Sequence, residues 1–218
     1  METTTRIAAP IMLVLALAVT GSGAAHAEIT ARTAAGQACA RAIDAVARSE
    51  RMPRHILNAI SLVESGRRVG RGGTRRAWPW TVYALGKGRY LGSKQAAIAE
   101  VRRLRQRRVT NIDVGCMQVN LFYHAGAFTG LEEAFDPMSN VAYAAAFLKE
   151  LRRTEGAWAP AVAKYHSSTR AKGRPYWQRV RSTWHAERRR IWNERREARI
   201  KANLARRAAR RRLRDRAR

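Results

Sequence analysis

Apolar side chains recur at intervals of three and four residues along most of the chain, which is the spacing of amphipathic helices. Local start signals support this pattern, because Ser93 is a suitable N-cap and Asp136 followed by Pro137 is typical of a helix start. The predicted helices cover residues 37–50, 56–65, 93–107, 137–153 and 157–168, and a further segment, 174–190, leads into the C-terminal tail. The predicted buried face of the helix after Pro137 is Met138, Val141, Ala145 and Leu148.

One segment departs from the helical pattern. Residues 78–92, "WPWTVYALGKGRYLG", are rich in aromatic and β-branched residues interrupted by glycines, which predicts a short β-hairpin around Gly86 and Gly88. The basic, glycine-rich stretch 67–76 is predicted to be a loop, and the stretch 110–120, "TNIDVGCMQVN", a loop or strained turn. These patterns predict a mainly α (α+β) fold, in which one helical domain carries a small β-hairpin.

Glu64 occupies an apolar position in the second predicted helix, "ILNAISLVESGRR". Ile56 and Ile60 precede it at intervals of four residues, and Gly66 is a stop signal that places it in the last turn. Burial and the negative end of the helix dipole both raise the pKa of such a carboxyl. A carboxylic acid that stays protonated near neutral pH is suited to general acid catalysis. The alternative is a structural acid that extends to water or pairs with a neighbouring arginine.

The N-terminal segment has the organisation of a secretory signal peptide. Arg6 precedes the apolar run "IAAPIMLVLALAV", and small residues lead to a cleavage site after Ala27. We therefore assign residues 1–27 to a signal peptide, 28–185 to a folded domain and 186–218 to a basic helical or disordered tail. We expect an exported, periplasmic protein without a transmembrane span after cleavage; an uncleaved anchor is the alternative.

The two cysteines, Cys39 and Cys116, form a candidate disulfide, because an exported chain meets an oxidising compartment. Two buried free thiols are the alternative. No further cysteine is present in the sequence, so a zinc site built on thiolates is excluded. The histidines show no metal-ligand spacing, and we predict neither a metal nor a cofactor.

The formal net charge of +27 is concentrated towards the C-terminus. Residues 187–218 hold 15 Lys/Arg and 4 Asp/Glu, and they contain neither proline nor glycine. Such a tail is either solvated or anchors the protein to a polyanion. For an exported chain, carboxylate-rich cell wall, an anionic lipid surface or an assembly machinery is a better partner than nucleic acid.

Three short motifs, in order, resemble those of the soluble-type (Slt) lytic transglycosylases, which have a goose-type lysozyme-like fold. The family's Glu-Ser pair at the end of an apolar helix is matched by residues 64–65. Its Gly-Leu-Met-Gln motif is matched by residues 115–118, with Cys116 in place of leucine, and its Ala-Tyr-Asn motif is matched in part by Lys-Tyr-His at 164–166. The order and spacing of the motifs agree over residues 39–184.

The resemblance implies cleavage of the β-1,4 bond between N-acetylmuramic acid and N-acetylglucosamine in the glycan strands of peptidoglycan. Glu64 would protonate the leaving oxygen and then act as base towards the muramyl C6 hydroxyl, which gives a 1,6-anhydro product. Tyr165 would form a hydrogen bond near Glu64, and His166 stands in the family's asparagine position. The implied substrate-binding residues are Ser65, Met117, Gln118, Tyr165 and His166. The alternatives are that Met117 fills the core, that Ser65 is a helix C-terminal hydroxyl and that Gln118 makes a satisfied polar contact.

Two alternatives remain at this stage. A muramidase that hydrolyses the same bond commonly needs a second carboxylate, and the acid closest to a motif is Asp113, which we expect to form a turn. A non-catalytic protein that binds cell wall or another polyanion is the more distant alternative. The hairpin aromatics are expected to line one wall of a cleft, with at least half of them packed into the core: Trp78, Trp80, Tyr83 and Tyr90.

Overall fold

The computed structural model describes residues 22–53, 55–68 and 74–216. Most of the predicted signal peptide falls on residues 1–21, outside the described residues. Helices dominate the described chain and the remaining regular structure is antiparallel strand, so the prediction of a mainly α (α+β) fold is confirmed. Within the described ranges, no helix is long and apolar enough to cross a membrane.

The elements form one helical assembly and two small sheets. The helices are α1 (Ser22–Ser49), α2 (Ile56–Ser65), α3 (Lys94–Gln106), α4 (Leu131–Ala134), α5 (Pro137–Glu155), α6 (Trp158–His166) and α7 (Arg170–Arg216). The strands are β1 (Gly66–Arg68), β2 (Arg75–Ala77), β3 (Thr81–Ala84), β4 (Lys87–Tyr90), β5 (Asp113–Val114) and β6 (Val119–Asn120). The strands β1 and β2 pair with each other, and the other four form an antiparallel sheet in the order β4-β3-β5-β6.

Two helices begin where their sequence signals place them. At the start of α3, the Ser93 hydroxyl accepts a hydrogen bond from the Ala96 N–H at 3.1 Å. At the start of α5, the Asp136 carboxylate accepts one from the Ser139 N–H at 2.9 Å, and Pro137 occupies the first turn. These side chains satisfy N–H groups that have no partner inside the helix, which is why the starts could be predicted.

The buried face of α5 differs from the prediction at one position. Val141, Ala145 and Leu148 are buried as expected, but Met138 is 47% exposed. At about 100° per residue, Met138 lies roughly 90° from the middle of the buried stripe. Asn140 is the residue from the first turn that is fully buried, so the buried stripe begins with a polar side chain and not with the methionine.

Strands also form in two stretches that were predicted to be loops. The predicted hairpin is present as β3 and β4, with Leu85 and Gly86 at its turn. The strand β5 pairs with β3, and β6 pairs with β5, so residues 110–120 contribute two strands around a turn. Residues 67–76 contribute most of β1 and β2. In strands of two or three residues, the alternation of apolar and polar side chains is too short to be recognised from sequence.

Two clusters of buried side chains form the core. The larger joins α1, α2, α5, α6 and α7 and includes Leu57, Ile60 and Val180. The smaller lies between the four-stranded sheet and the helices α3 and α4, and it includes Val82 and Val101. The helix α2 packs in the larger cluster together with the turn between β5 and β6, so the first two motifs meet in one part of the core.

The helix α7 starts in the core and continues through the basic tail without a break. Tyr176 and Val180 are buried, whereas every residue from 192 to 215 is exposed. The predicted boundary between residues 185 and 186 therefore falls inside a helix, and the tail is helical as far as Arg216.

Candidate active site

The turn between β5 and β6 contains two residues with positive φ angles, and its sequence alone explains this conformation only in part. Gly115 has a φ of 84°, in the left-handed region that favours glycine, and Gln118 has a φ of 49°. A Cβ at Gly115 would also overlap the side-chain amide of Asn140. The glycine of the second motif is therefore required twice, by its conformation and by the close approach of α5.

Asn140 holds this turn in place from the buried face of α5. Its Nδ2 donates hydrogen bonds to the carbonyls of Val114 at 3.1 Å and Ala134 at 3.0 Å, and its Oδ1 accepts one from the Met117 N–H at 2.9 Å. Sequence reasoning missed this residue. The available signal was a polar residue on an apolar helix face, which is the signal that identified Glu64.

The disulfide and Ser65 bind the same turn to the helices. Cys39 and Cys116 are bonded, with an S–S distance of 2.06 Å, so the predicted bridge between α1 and the second motif is confirmed. The Ser65 hydroxyl donates to the Cys116 carbonyl at 2.7 Å, and the same hydroxyl lies 3.2 Å from the Ser61 carbonyl. Ser65 and Met117 are both fully buried, so neither lines an open groove as predicted. Their side chains instead join the first two motifs.

Glu64 lies one residue before the end of α2 and is half-buried. Burial of the carboxyl raises its pKa from 4.5 to about 7. The nearby Tyr176 hydroxyl and the charge of Arg179 act in the opposite direction, and the charge of Asp113 adds to the rise. The carboxyl thus exchanges its proton near neutral pH, as its position on the apolar stripe predicted.

Two tyrosines stand beside this carboxyl. The Tyr165 hydroxyl, on α6, donates to the Met117 carbonyl at 2.8 Å. Its pKa is raised well above 10 by burial and by the charge of Glu64, which agrees with the predicted neighbourhood of these residues. Tyr176, on α7, is fully buried, and its hydroxyl faces Glu64. That hydroxyl has no hydrogen bond of ordinary geometry with any described residue, so it is available to the Glu64 carboxylate.

Gln118 and His166 occupy the edge of the same region. The Gln118 side-chain amide donates to the carbonyls of Gly115 at 3.0 Å and Thr81 at 3.2 Å, which fixes it beside the hairpin. The His166 ring stacks on the Tyr176 ring at 4.5 Å between centroids and 6° between planes. Burial lowers the pKa of His166, and the positive charges of Arg179 and Lys172 lower it further. The His166 ring is therefore neutral, and it packs against the Tyr176 ring.

Asp113 lies in the strand β5, so the prediction that it forms a turn is wrong. Its carboxylate accepts a hydrogen bond from the Asn120 side chain at 2.7 Å, and burial raises its pKa. Its charge raises the pKa of both Glu64 and Tyr165. The pairing of β5 with β3 thus brings a second carboxylate to the neighbourhood of the first.

The four hairpin aromatics divide between core and surface. Trp78 is fully buried and donates from Nε1 to the Leu91 carbonyl at 2.7 Å, and Trp80 is half-buried against it, edge to face. Tyr83 and Tyr90 are each nearly half exposed. Two of the four therefore reach the surface.

The described residues contain no group of three or more His, Cys, Asp or Glu side chains that could hold a metal ion. Two surface depressions, of about 670 and 500 Å³, lie between α1, α2 and α7, and no motif residue lines them. Comparisons with protein-family models, with curated proteins and with solved structures give no match for this chain. The chemistry must therefore be argued from the residues around Glu64.

Proposed function

We propose that this chain is an exported peptidoglycan lytic transglycosylase with a lysozyme-like helical domain. The observation that carries the proposal is the Glu64 carboxyl, half-buried at a helix end between two tyrosines, with its pKa raised to about 7. Such a group can donate a proton near neutral pH and can take one back. The ordered motif resemblance supports the same reaction, and the disulfide is in keeping with export.

The reaction uses Glu64 twice. Its proton passes to the glycosidic oxygen as the bond from that oxygen to C1 of the muramyl residue breaks. The carboxylate then takes the proton of the C6 hydroxyl, whose oxygen bonds to C1 and closes the 1,6-anhydro ring. Glu64 is protonated at the end as at the start, and no water is consumed. Between the two steps, the Tyr176 hydroxyl stabilises the carboxylate, because a hydrogen bond to the charged form favours that form.

Asp113 supports a second candidate, hydrolysis of the same bond by a muramidase. Glycoside hydrolases commonly pair a protonated carboxyl with a second carboxylate that activates water or attacks C1. Asp113 lies close enough to Glu64 to raise its pKa and is held by Asn120. Under this mechanism the product would carry a free reducing end.

Mass spectrometry of the fragments released from purified peptidoglycan separates these candidates. The comparison uses the wild type, Glu64→Gln and Asp113→Asn, with Glu197→Gln, exposed on α7, as a matched control. We expect anhydro-muropeptides from the wild type and the control, and a loss of about 100-fold or more in Glu64→Gln, since general acid and base catalysis contributes at least that much.

The other outcomes are equally specific. Reducing-end products that are lost in both Glu64→Gln and Asp113→Asn would establish hydrolysis. If the folded wild type releases no fragment, the proposal of an enzyme is wrong, and a protein that only binds the cell wall would replace it.

A further inference from the structure

Four arginines occupy opposed positions in the sheet formed by β1 and β2, with one opposed pair on each face. We call Arg67, Arg68, Arg75 and Arg76 the arginine ribbon. Arg67 lies directly opposite Arg76 in the register, and Arg68 lies directly opposite Arg75. Like charges at opposed positions destabilise a strand pair. The ribbon therefore carries two unfavourable charge pairs, and a bound anion would relieve them.

Two members of the arginine ribbon have partners inside the protein. The Arg67 guanidinium lies over the Trp78 ring, 4.4 Å from its centroid, and 5.5 Å from the centroid of Tyr90. The Arg75 Nε donates to the Gly66 carbonyl at 3.1 Å. These contacts hold the Arg67 and Arg75 side chains against the protein.

The other two members, Arg68 and Arg76, are exposed. Neither makes an ion pair or a side-chain hydrogen bond with any residue that the structure describes. By contrast, Arg103 pairs with Glu100 at 2.9 Å, as surface arginines do where an acid is near. The arginine ribbon thus presents one unpaired guanidinium group on each face of the strand pair.

The arginine ribbon starts at the end of the helix that carries Glu64. The helix α2 ends at Ser65 and β1 begins at Gly66, so Arg68 is four residues from Glu64 and at most about 14 Å along an extended chain. The other strand is tied to the same point, because the Trp78 N–H donates to the Ser65 carbonyl at 3.1 Å. The ribbon therefore lies close to Glu64 in the fold.

We propose that the arginine ribbon binds the free carboxylates of the peptide stems on the glycan strand that is cleaved at Glu64. This inference rests on the proposed function and names the part of the substrate that this site recognises. The N-acetylated sugars of a peptide-substituted strand are uncharged, so its anionic groups lie on the stems. Guanidinium groups form charge-assisted, often bidentate hydrogen bonds with carboxylates. The enzyme should then prefer strands whose stems keep their carboxylates.

The test compares two forms of one substrate. Peptidoglycan strands are N-acetylated on their free amines, and half of the sample then has its stem carboxylates converted to amides. Wild type, Arg68→Ser/Arg76→Ser and a matched control, Arg102→Ser/Arg105→Ser, are assayed on both forms. The control removes two exposed charges from α3, so it measures the effect of net charge alone.

We expect the wild type and the control to cleave the carboxylate form with a kcat/KM about tenfold higher than the amidated form, as two exposed charge-assisted contacts suggest. The ribbon variant should cleave both forms at nearly equal rates, with its loss on the carboxylate form expressed in KM. An unchanged tenfold preference in the folded ribbon variant would overturn the inference. If the control loses the preference equally, the preference is an effect of net charge, and the inference would also be overturned.

Binding measured with the Glu64→Gln protein keeps the two proposals distinguishable. Both substrate forms are titrated into Glu64→Gln and into the same protein with Arg68→Ser/Arg76→Ser. Absence of cleavage by the wild type would reject the proposed function, while a preference for the carboxylate form that requires Arg68 and Arg76 would still support the ribbon. Equal binding of both forms to Glu64→Gln would reject the ribbon.

Discussion

At the level of single residues, Glu64 shows how a fold sets the chemistry of one carboxyl. Burial raises its pKa to about 7, even though Tyr176 and Arg179 favour the ionised form. The native state therefore holds a proton that the unfolded chain, with a pKa near 4.5, has already lost at neutral pH. Protonation of this group and folding are linked.

This linkage gives a test that does not depend on activity. Between about pH 4.5 and pH 7, the native state binds more protons at Glu64 than the unfolded state, so rising pH lowers the free energy of unfolding. The difference in the free energy of unfolding between Glu64→Gln and the wild type should therefore change with pH. From pH 4.5 to above pH 7, we expect it to shift in favour of Glu64→Gln by on the order of 2–3 kcal/mol. Denaturant unfolding at both pH values measures it.

A matched substitution separates this effect from a general loss of negative charge. Glu197 is exposed on α7, and Glu197→Gln should show no pH-dependent difference from the wild type. A difference between Glu64→Gln and the wild type that stays constant from pH 4.5 to pH 8 would mean that the pKa of Glu64 is not raised in solution.

Some residues of the site could be predicted from sequence and others could not, for a physical reason. The position of Glu64 depends on spacing within a single helix, and that pattern is local. The roles of Ser65 and Met117 depend on how two distant segments pack, and both are buried where exposure was expected. Asn140 acts on Val114 and Met117, and Tyr176 faces Glu64, all more than 20 residues away, so the roles of these two residues depend on tertiary packing.

At the level of elements, the starts of helices could be predicted from sequence and the short strands could not. The starts of α3 and α5 follow from capping side chains a few residues away. The strands β5 and β6 are two residues long and exist because β3 lies beside them. Their formation moves Asp113 from a predicted turn into a strand and brings it near Glu64, which no sequence pattern indicated.

Among the contacts between elements, we expect the disulfide to contribute most to stability. It joins α1 to the turn between β5 and β6 and closes a separation of 77 residues. Such a bridge stabilises by roughly 2–4 kcal/mol, chiefly by restricting the unfolded chain. We expect Cys39→Ala/Cys116→Ala to lower the free energy of unfolding by that amount, measured in denaturant.

Reduction provides the control for this prediction. The wild type treated with a thiol reductant should lose as much stability as the double alanine variant, which itself should not respond to the reductant. A variant as stable as the oxidised wild type would show that packing of α1 on α5, rather than the bridge, holds the turn.

At the level of the whole molecule, α7 connects the site to a charged surface. Its buried residue Tyr176 faces Glu64, and its exposed part, residues 192–215, extends the basic tail as a helix. Residues 199–218 hold ten Lys/Arg and one Asp. Large exposed apolar side chains are few between residues 199 and 215: Ile200, Leu204 and Leu213. Charge therefore dominates what the tail can bind, and a carboxylate-rich cell wall suits it.

Sedimentation with purified peptidoglycan sacculi tests the tail as an anchor. Deletion of residues 199–218 should weaken binding by at least about tenfold at low salt and should reduce its salt dependence, because fewer counterions are exchanged. Cleavage of short soluble fragments should stay at the wild-type rate, since Tyr176 and Val180 remain in the core. Replacing Ile200, Leu204 and Leu213 with serine retains every charge and should preserve binding. If that variant loses binding as the deletion does, the tail docks on the sacculus through its apolar side chains, and the wall carboxylates are not its anchor.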